Sequence, residues 1–232
     1  MNKKFAFVTG ASTGIGKTLI SKLLEEGYVV GGGARRTDLI NRRAVKFSCD
    51  LADIDSVNNL ISEIKLKTDR IDVIANIAGI WHQGDEVFAN KDFASFSQKT
   101  ILDTYNVGFT APALLIHGLL PLMKPGSVII NLSGTFENGA RGWLPYFASK
   151  RGLEDFTFGL AQELEGCGIK VLGISPSDTA TEEYIKLFPG DAVNGNSKEF
   201  VAESMYKMIT EAENGEFWTI KRNTVLKRGF HS

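Results

Sequence analysis

Apolar residues in this chain gather in short, mostly apolar runs, separated by longer stretches in which they recur every three or four positions. Runs at 5–9, 44–47, 71–77, 127–132 and 169–174, and one beginning at 28–30, have the length of strands. The stretches at 15–26, 54–64, 93–123 and 146–164 have helical spacing, with Pro112 and Pro121 as local breaks in the third. Strands alternating with helices make βαβ units, and these predict an α/β fold: a doubly wound parallel sheet with helices on both faces. Several runs are apolar at nearly every position, as expected of strands covered on both sides. Residues 179–197 depart from the pattern. Their turn residues, Pro189-Gly190-Asp191 and Asn194-Gly195-Asn196, predict a mobile insertion that could serve as a lid.

Composition narrows the function classes. At 232 residues and 43% hydrophobic side chains, the chain is expected to form a single domain over residues 1–232. Its 26 basic and 27 acidic residues carry no polybasic stretch, so neither nucleic acid nor an anionic membrane is an expected partner. The N-terminal apolar run ends at Thr9-Gly10, and no segment approaches a membrane span, which leads to the expectation of a cytoplasmic protein. Cys49 and Cys167 lie in no CxxC pair or ligand cluster and are expected to be reduced structural thiols; His82 has no partner ligand, and no metal is expected.

The first candidate chemistry lies between the first run and the first helical stretch, in Thr9-Gly10-Ala11-Ser12-Thr13-Gly14-Ile15-Gly16. Glycines allow the backbone close to a pyrophosphate, and the N–H groups and positive end of the following helix favour negative charge. Gly10, Ser12, Thr13, Gly14, Ile15 and Gly16 are therefore candidate cofactor contacts; without a ligand they form a tight strand-to-helix turn. Residues 11–18 also read A-x-x-x-x-G-K-T, a relaxed form of the triphosphate-binding P-loop. That motif begins with Gly where this chain has Ala11, and it needs an Asp at another strand end to hold Mg²⁺. The ends available, Asn76-Ile77-Ala78-Gly79 and Asn131-Leu132-Ser133, carry none.

Taken with the rest of the chain, residues 9–16 resemble the T-G-x-x-x-G-x-G loop of the short-chain dehydrogenase/reductase family. Asp50-Leu51 resembles that family's adenine-ring contact, and Asn76-Ile77-Ala78-Gly79 is similar to its N-x-A-G motif, with Asn76, Ala78 and Gly79 as cofactor-side residues. Asn106, Ser133, Tyr146 and Lys150 follow in the family's order, so the resemblance spans about residues 4–181. It implies a Rossmann-type sheet, hydride transfer between a nicotinamide cofactor and a carbonyl or alcohol substrate, and a homodimer or homotetramer formed by stretches 93–123 and 146–164. Pro176, Thr179 and Thr181 stand where the family has residues near the nicotinamide, although Ser177 replaces a glycine of that pattern. The tail around 215–220 lacks the glycine pair that many members carry.

Cofactor choice rests on the end of the second strand. An acidic residue there would bond a ribose 2′-OH, whereas a basic one suits a 2′-phosphate. Here Ala34 takes the acidic position and Arg35 and Arg36 follow, which favours NADP(H); solvated surface arginines would look the same, and Asp38 falls further into the loop.

Tyr146 and Lys150 stand at i and i+4, one helical turn apart on one face. An ammonium beside a phenol favours the phenolate, so Lys150 is expected to lower the Tyr146 pKa and Tyr146 to act as acid/base. The resemblance adds a bond from Lys150 to the nicotinamide ribose. Ser133 precedes Tyr146 by 13 residues, the family's spacing for the hydroxyl that binds the substrate oxygen; counting from Asn131 instead puts Gly134 in that slot, with Thr135 as a further hydroxyl. Asn106 matches an asparagine that supports a water-linked proton path, or else it marks a helix kink. Trp81, His82, Phe136, Glu137 and Trp143 flank the site and are candidate pocket residues. A catalytically idle NADP-binding sensor or scaffold is the rival reading.

Overall fold

The computed structural model describes residues 3–84, 86–134 and 141–228. In chain order the elements are β1 (Phe5–Thr9), α1 (Gly14–Glu25), β2 (Val29–Ala34), β3 (Val45–Ser48), α2 (Ile54–Lys67) and β4 (Ile71–Asn76). A two-residue hairpin follows, β5 (His82–Gln83) and β6 (Glu86–Val87), then α3 (Gln98–Tyr105), α4 (Ala111–Leu119), β7 (Met123–Leu132), α5 (Leu144–Leu164) and β8 (Lys170–Pro176). The chain continues through α6 (Glu182–Leu187), α7 (Pro189–Ala192), α8 (Lys198–Glu211), β9 (Phe217–Lys221) and β10 (Thr224–Arg228).

The main sheet has the order β10-β9-β8-β7-β4-β1-β2-β3 and is parallel except for the β9–β10 pair. The chain winds outward from β1 to β3, then returns to β4 and winds the other way. This reversal leaves a crevice outside the carboxyl ends of β1 and β4, where ligands of doubly wound sheets bind.

Strand side chains alternate between two apolar layers. Val8, Val30, Ala75, Ile130 and Ile174 pack with Leu19, Ile20 and Leu23 of α1 and Val201, Met205 and Met208 of α8. On the opposite face, Phe5, Phe7, Phe47, Ile74 and Ile129 pack with Leu60 and Ile64 of α2 and Leu115 and Leu119 of α4. Burial on both sides explains why the strand runs are mostly apolar, and the polar residues buried in them, such as Thr9, Asp72, Asn76 and Asn131, are hydrogen-bonded.

Some elements differ from the sequence expectation, whereas β2 ends at Ala34 as expected. It continues through Gly31-Gly32-Gly33 because neighbouring side chains occupy the space where their own would stand. A Cβ on Gly31 would lie 3.0 Å from both Phe47 and Phe5, and one on Gly32 2.9 Å from Ala11. The helical stretch from 93 is not continuous: α3 begins at Gln98, and a π-helical turn over Asn106–Thr110 separates it from α4. Pro112 therefore falls in the first turn of α4, where its missing N–H costs nothing. Residues 179–197 hold two short helices and are closed at the base by a bridge between Thr179 and Asn196. The edge hairpin β9–β10 turns through Arg222 and Asn223, both with positive φ.

Candidate active site

A cleft of about 1210 Å³ runs along the carboxyl ends of β1, β2, β3, β4, β7 and β8. Its floor at β1 is the glycine loop, in which Gly10 and Gly14 take φ of +67° and +52°. Such values favour glycine. The third glycine is required by proximity, since a Cβ on Gly16 would fall 2.3 Å from the Gly10 carbonyl oxygen. Helix α1 starts after Thr13 with no side-chain cap and no acidic residue in its first turn. Its leading N–H groups therefore remain available to an anion. Thr9 braces the loop from beneath, its hydroxyl accepting the N–H groups of Ile77 and Ala78 at 3.0 and 3.3 Å.

Gly10, Ser12, Thr13, Gly14, Ile15, Gly16, Arg35, Arg36, Asp50, Leu51, Ala78, Gly79, Pro176, Thr179 and Thr181 all line this cleft. Arg35 and Arg36 are positioned where β2 ends. Thr179 and Thr181 use their hydroxyls locally, the first donating to the Ser177 carbonyl and the second capping α6. A Cβ on Gly14 would meet the Thr181 methyl at 3.0 Å, so the loop and the start of α6 face each other across a gap only a glycine leaves open.

Asn76 does not line the cleft. It is 1% exposed and donates to Asn131 Oδ1 at 2.9 Å, while Asn131 donates to Thr157 Oγ1 at 2.9 Å. These amides tie β4, β7 and α5 together beneath the site. Asn106 does not line the cleft either; from the π-helical turn it donates at 3.0 Å to the carbonyl of Ala52, which does.

Tyr146 and Lys150 project from one face of α5, with the Lys150 Nζ 5.7 Å from the centroid of the Tyr146 ring. Gly79 packs against both; a Cβ there would be 3.3 Å from Tyr146 and 3.4 Å from Lys150. Lys150 is 1% exposed and donates to the carbonyl of Leu132, the last residue of β7, at 2.8 Å and to that of Ala78, just after β4, at 3.4 Å. Burial pulls its pKa down to about 8, against an opposing pull from the Glu154 carboxylate. Burial pushes Tyr146 up to about 12. The expected lowering of the phenol by its lysine is thus absent in the free protein: desolvation of the phenolate outweighs an ammonium committed to backbone carbonyls.

Ser133 stands at the cleft wall but is 2% exposed, and its hydroxyl donates to the Glu154 carboxylate and approaches the Lys150 carbonyl at 3.3 Å. The hydroxyl is thus engaged with α5, and both Ser133 and Gly134 line the cleft. Glu154 was not singled out by the sequence. It is 7% exposed and also pairs with Arg151, and its position four residues after Lys150 on the same helical face is the signal that could have found it. Thr135, Phe136 and Glu137 lie outside the described residues.

A model of the short chain dehydrogenase family matches residues 4–191. The chain belongs to the short-chain dehydrogenase family. Among its relatives is a 3-oxoacyl-(acyl-carrier-protein) reductase of Buchnera aphidicola, 31% identical over 197 residues, covering 81% of this chain and 78% of the relative. A benzil reductase of Bacillus subtilis is 27% identical over 241 residues, covering 92% and 97%. A short chain dehydrogenase of Burkholderia cenocepacia, solved in complex with NADP, superposes with a TM-score of 0.83 at 24% identity, covering 95% of this chain and 98% of its own. Short-chain dehydrogenases are oxidoreductases, and the glycine loop and the tyrosine–lysine face of α5 lie within the matched region.

In this short-chain dehydrogenase the remaining wall of the cleft is aromatic. Trp143 stands 6.3 Å from Tyr146 and 6.2 Å from Phe188, measured between ring centroids. Phe188 in turn lies 6.2 Å from Trp81 and 5.2 Å from Tyr184. Trp81 and Trp143 were expected near the site; Tyr184 and Phe188 were not, and their i, i+4 spacing at α6 was hidden within a stretch dominated by turn residues. Asn196 holds that stretch closed: fully buried, it donates toward the Ser177, Asp178 and Ile220 carbonyls and accepts the Asn223 N–H at 2.8 Å. Among the described residues no group of three or more His, Cys, Asp or Glu side chains is placed to hold a metal ion, and no helix is long and apolar enough to cross a membrane.

Proposed function

We propose that the protein reduces a small-molecule carbonyl with NADPH, Tyr146 giving the carbonyl oxygen its proton. The observation that carries this reading is the juxtaposition of an uncapped, glycine-lined helix terminus with Tyr146 and Lys150 along one cleft. The residues fit a dinucleotide. Uncapped N–H groups of α1 receive the pyrophosphate, Asp50 and Leu51 flank the adenine end, and Arg35 and Arg36 pair with a 2′-phosphate. The bound cofactor supplies a hydride to the carbonyl carbon, or takes one back from an alcohol.

The chain's own residues control placement and protons. Tyr146, with its pKa raised to about 12, stays protonated at neutral pH and is suited to donate to the oxygen, the role that reduction demands. An ammonium has three donors; Leu132 and Ala78 take two of those of Lys150, and the third would be left to hold a ribose hydroxyl of the cofactor. Ser133 acts as a positioning residue, tying the end of β7 to α5 through Glu154. A homodimer or homotetramer through the helical faces of α3 and α5 is supported by Leu102 and Phe158, which are exposed there.

Tyr146→Phe is the direct test. The variant is expected to bind NADPH in a fluorescence titration and to lose carbonyl reduction by about 10²–10⁴-fold; unaltered turnover would refute the assignment. Arg35→Ala with Arg36→Ala is expected to raise KM for NADPH more than for NADH. Binding of NADPH without turnover of any carbonyl or alcohol would favour an idle sensor.

A further inference from the structure

Four rings from three separate segments form one cluster, which reaches Tyr146 through Trp143. Trp81 follows β4, Trp143 precedes α5, and Tyr184 and Phe188 belong to the stretch between β8 and α8. Each is only partly buried, and all four line the cleft. Core packing would hide such rings; here they keep apolar surface facing the space beside the catalytic phenol. The charged groups on the same wall have mostly one sign. From 178 to 191 the chain carries Asp178, Glu182, Glu183 and Asp191 against Lys186; Lys198 pairs with Glu182, which leaves Asp178, Glu183 and Asp191 in excess, and Tyr184 is itself hydrogen-bonded to Asp178. An anionic substrate would meet repulsion there, whereas a neutral planar one would meet ring faces and edges.

We infer that the substrate is an uncharged aryl ketone, whose ring packs against Trp143 and Phe188 while its carbonyl oxygen meets Tyr146. This rests on the carbonyl-reductase reading above. Two new ring contacts correspond to about a tenfold or greater preference over a saturated ring of the same size. The carbonyl gains a hydride at carbon from the nicotinamide and a proton at oxygen from Tyr146, giving a secondary alcohol and the oxidised cofactor.

The experiment compares acetophenone, cyclohexyl methyl ketone and acetoacetyl-coenzyme A as substrates of the intact protein with NADPH. The expected order in kcat/KM is acetophenone first by at least tenfold and the anionic thioester last, and Phe188→Leu is expected to bring the two ketones within about threefold of each other. Equal use of both ketones, or preference for the thioester, would overturn the inference while leaving carbonyl reduction standing. Calorimetric titration of acetophenone into the protein with NADP⁺ covers the case of no turnover. Binding that weakens tenfold in Phe188→Leu keeps the ring site and discards the reductase reading; binding that is absent or insensitive to the substitution discards the ring site.

Discussion

Replacing Lys150 with Met should change how stability depends on pH, and the size of the change follows from the burial of the ammonium. Lys150 is held at about 8, against 10.5 for the unburied side chain. At about 1.4 kcal/mol per pH unit, carrying the charge costs the native state roughly 3 kcal/mol at neutral pH. The folded value lies below the unfolded one, so beneath pH 8 both states hold the proton and the full penalty applies. Above pH 8 the unfolded chain binds more protons than the native one, and stability rises with pH until about 10.5. Between pH 7 and 9.5 the wild-type protein should gain about 2 kcal/mol that Lys150→Met does not. The titration of Tyr146, raised to about 12, acts in the opposite sense but only above about pH 10, the unfolded phenol's own range, and is common to both proteins. Urea unfolding followed by tryptophan fluorescence at several pH values reads this difference directly. Parallel stability curves for the two proteins would refute the claim that burial governs Lys150.

Two further substitutions probe the scaffold of the site. Gly16→Ala places a carbon 2.3 Å from the Gly10 carbonyl oxygen, an overlap with backbone that the loop relieves only by moving; NADPH affinity should fall about 10–100-fold, for a cost of about 1–3 kcal/mol, as read by fluorescence titration. Asn196→Ala removes donors from a fully buried position and leaves the Asn223 N–H without its acceptor. The urea midpoint should then drop, with a loss of about 1–3 kcal/mol, and limited proteolysis should cut between 180 and 195 faster than in the wild type.

The parts of the fold that were legible in the sequence are those where one local pattern has one meaning. The apolar run before Gly10, the helical spacing after it and the i, i+4 pair of Tyr146 and Lys150 could be placed on elements without tertiary information, and the cleft brings them together. The end of β2 at Ala34 was legible too, although the reason its Gly31-Gly32-Gly33 run can be strand, Phe5, Phe7 and Phe47 filling the space above it, is tertiary. The hairpin of β9 and β10 was missed since its strands are short and its turn, Arg222-Asn223, lacks the glycine that usually marks one. The direction of the Ser133 hydroxyl was beyond reach for a different reason. Counting residues fixes a position along the chain, but whether a side chain faces the cleft or α5 depends on strand pleat and on an acceptor, Glu154, supplied by another element.

The clamp at Asn196 joins both ends of the 179–197 excursion to the sheet, so the entropy of closing that loop is met at its neck rather than by the residues within it. On the proposed reading the ring-bearing residues inside the neck bear on substrate preference, whereas the clamp at the neck bears on stability. The segment carrying Tyr184 and Phe188 can exchange rings, charges or length while β8, β9 and the glycine loop keep their register, which makes this short excursion the place where a new specificity could arise from few mutations.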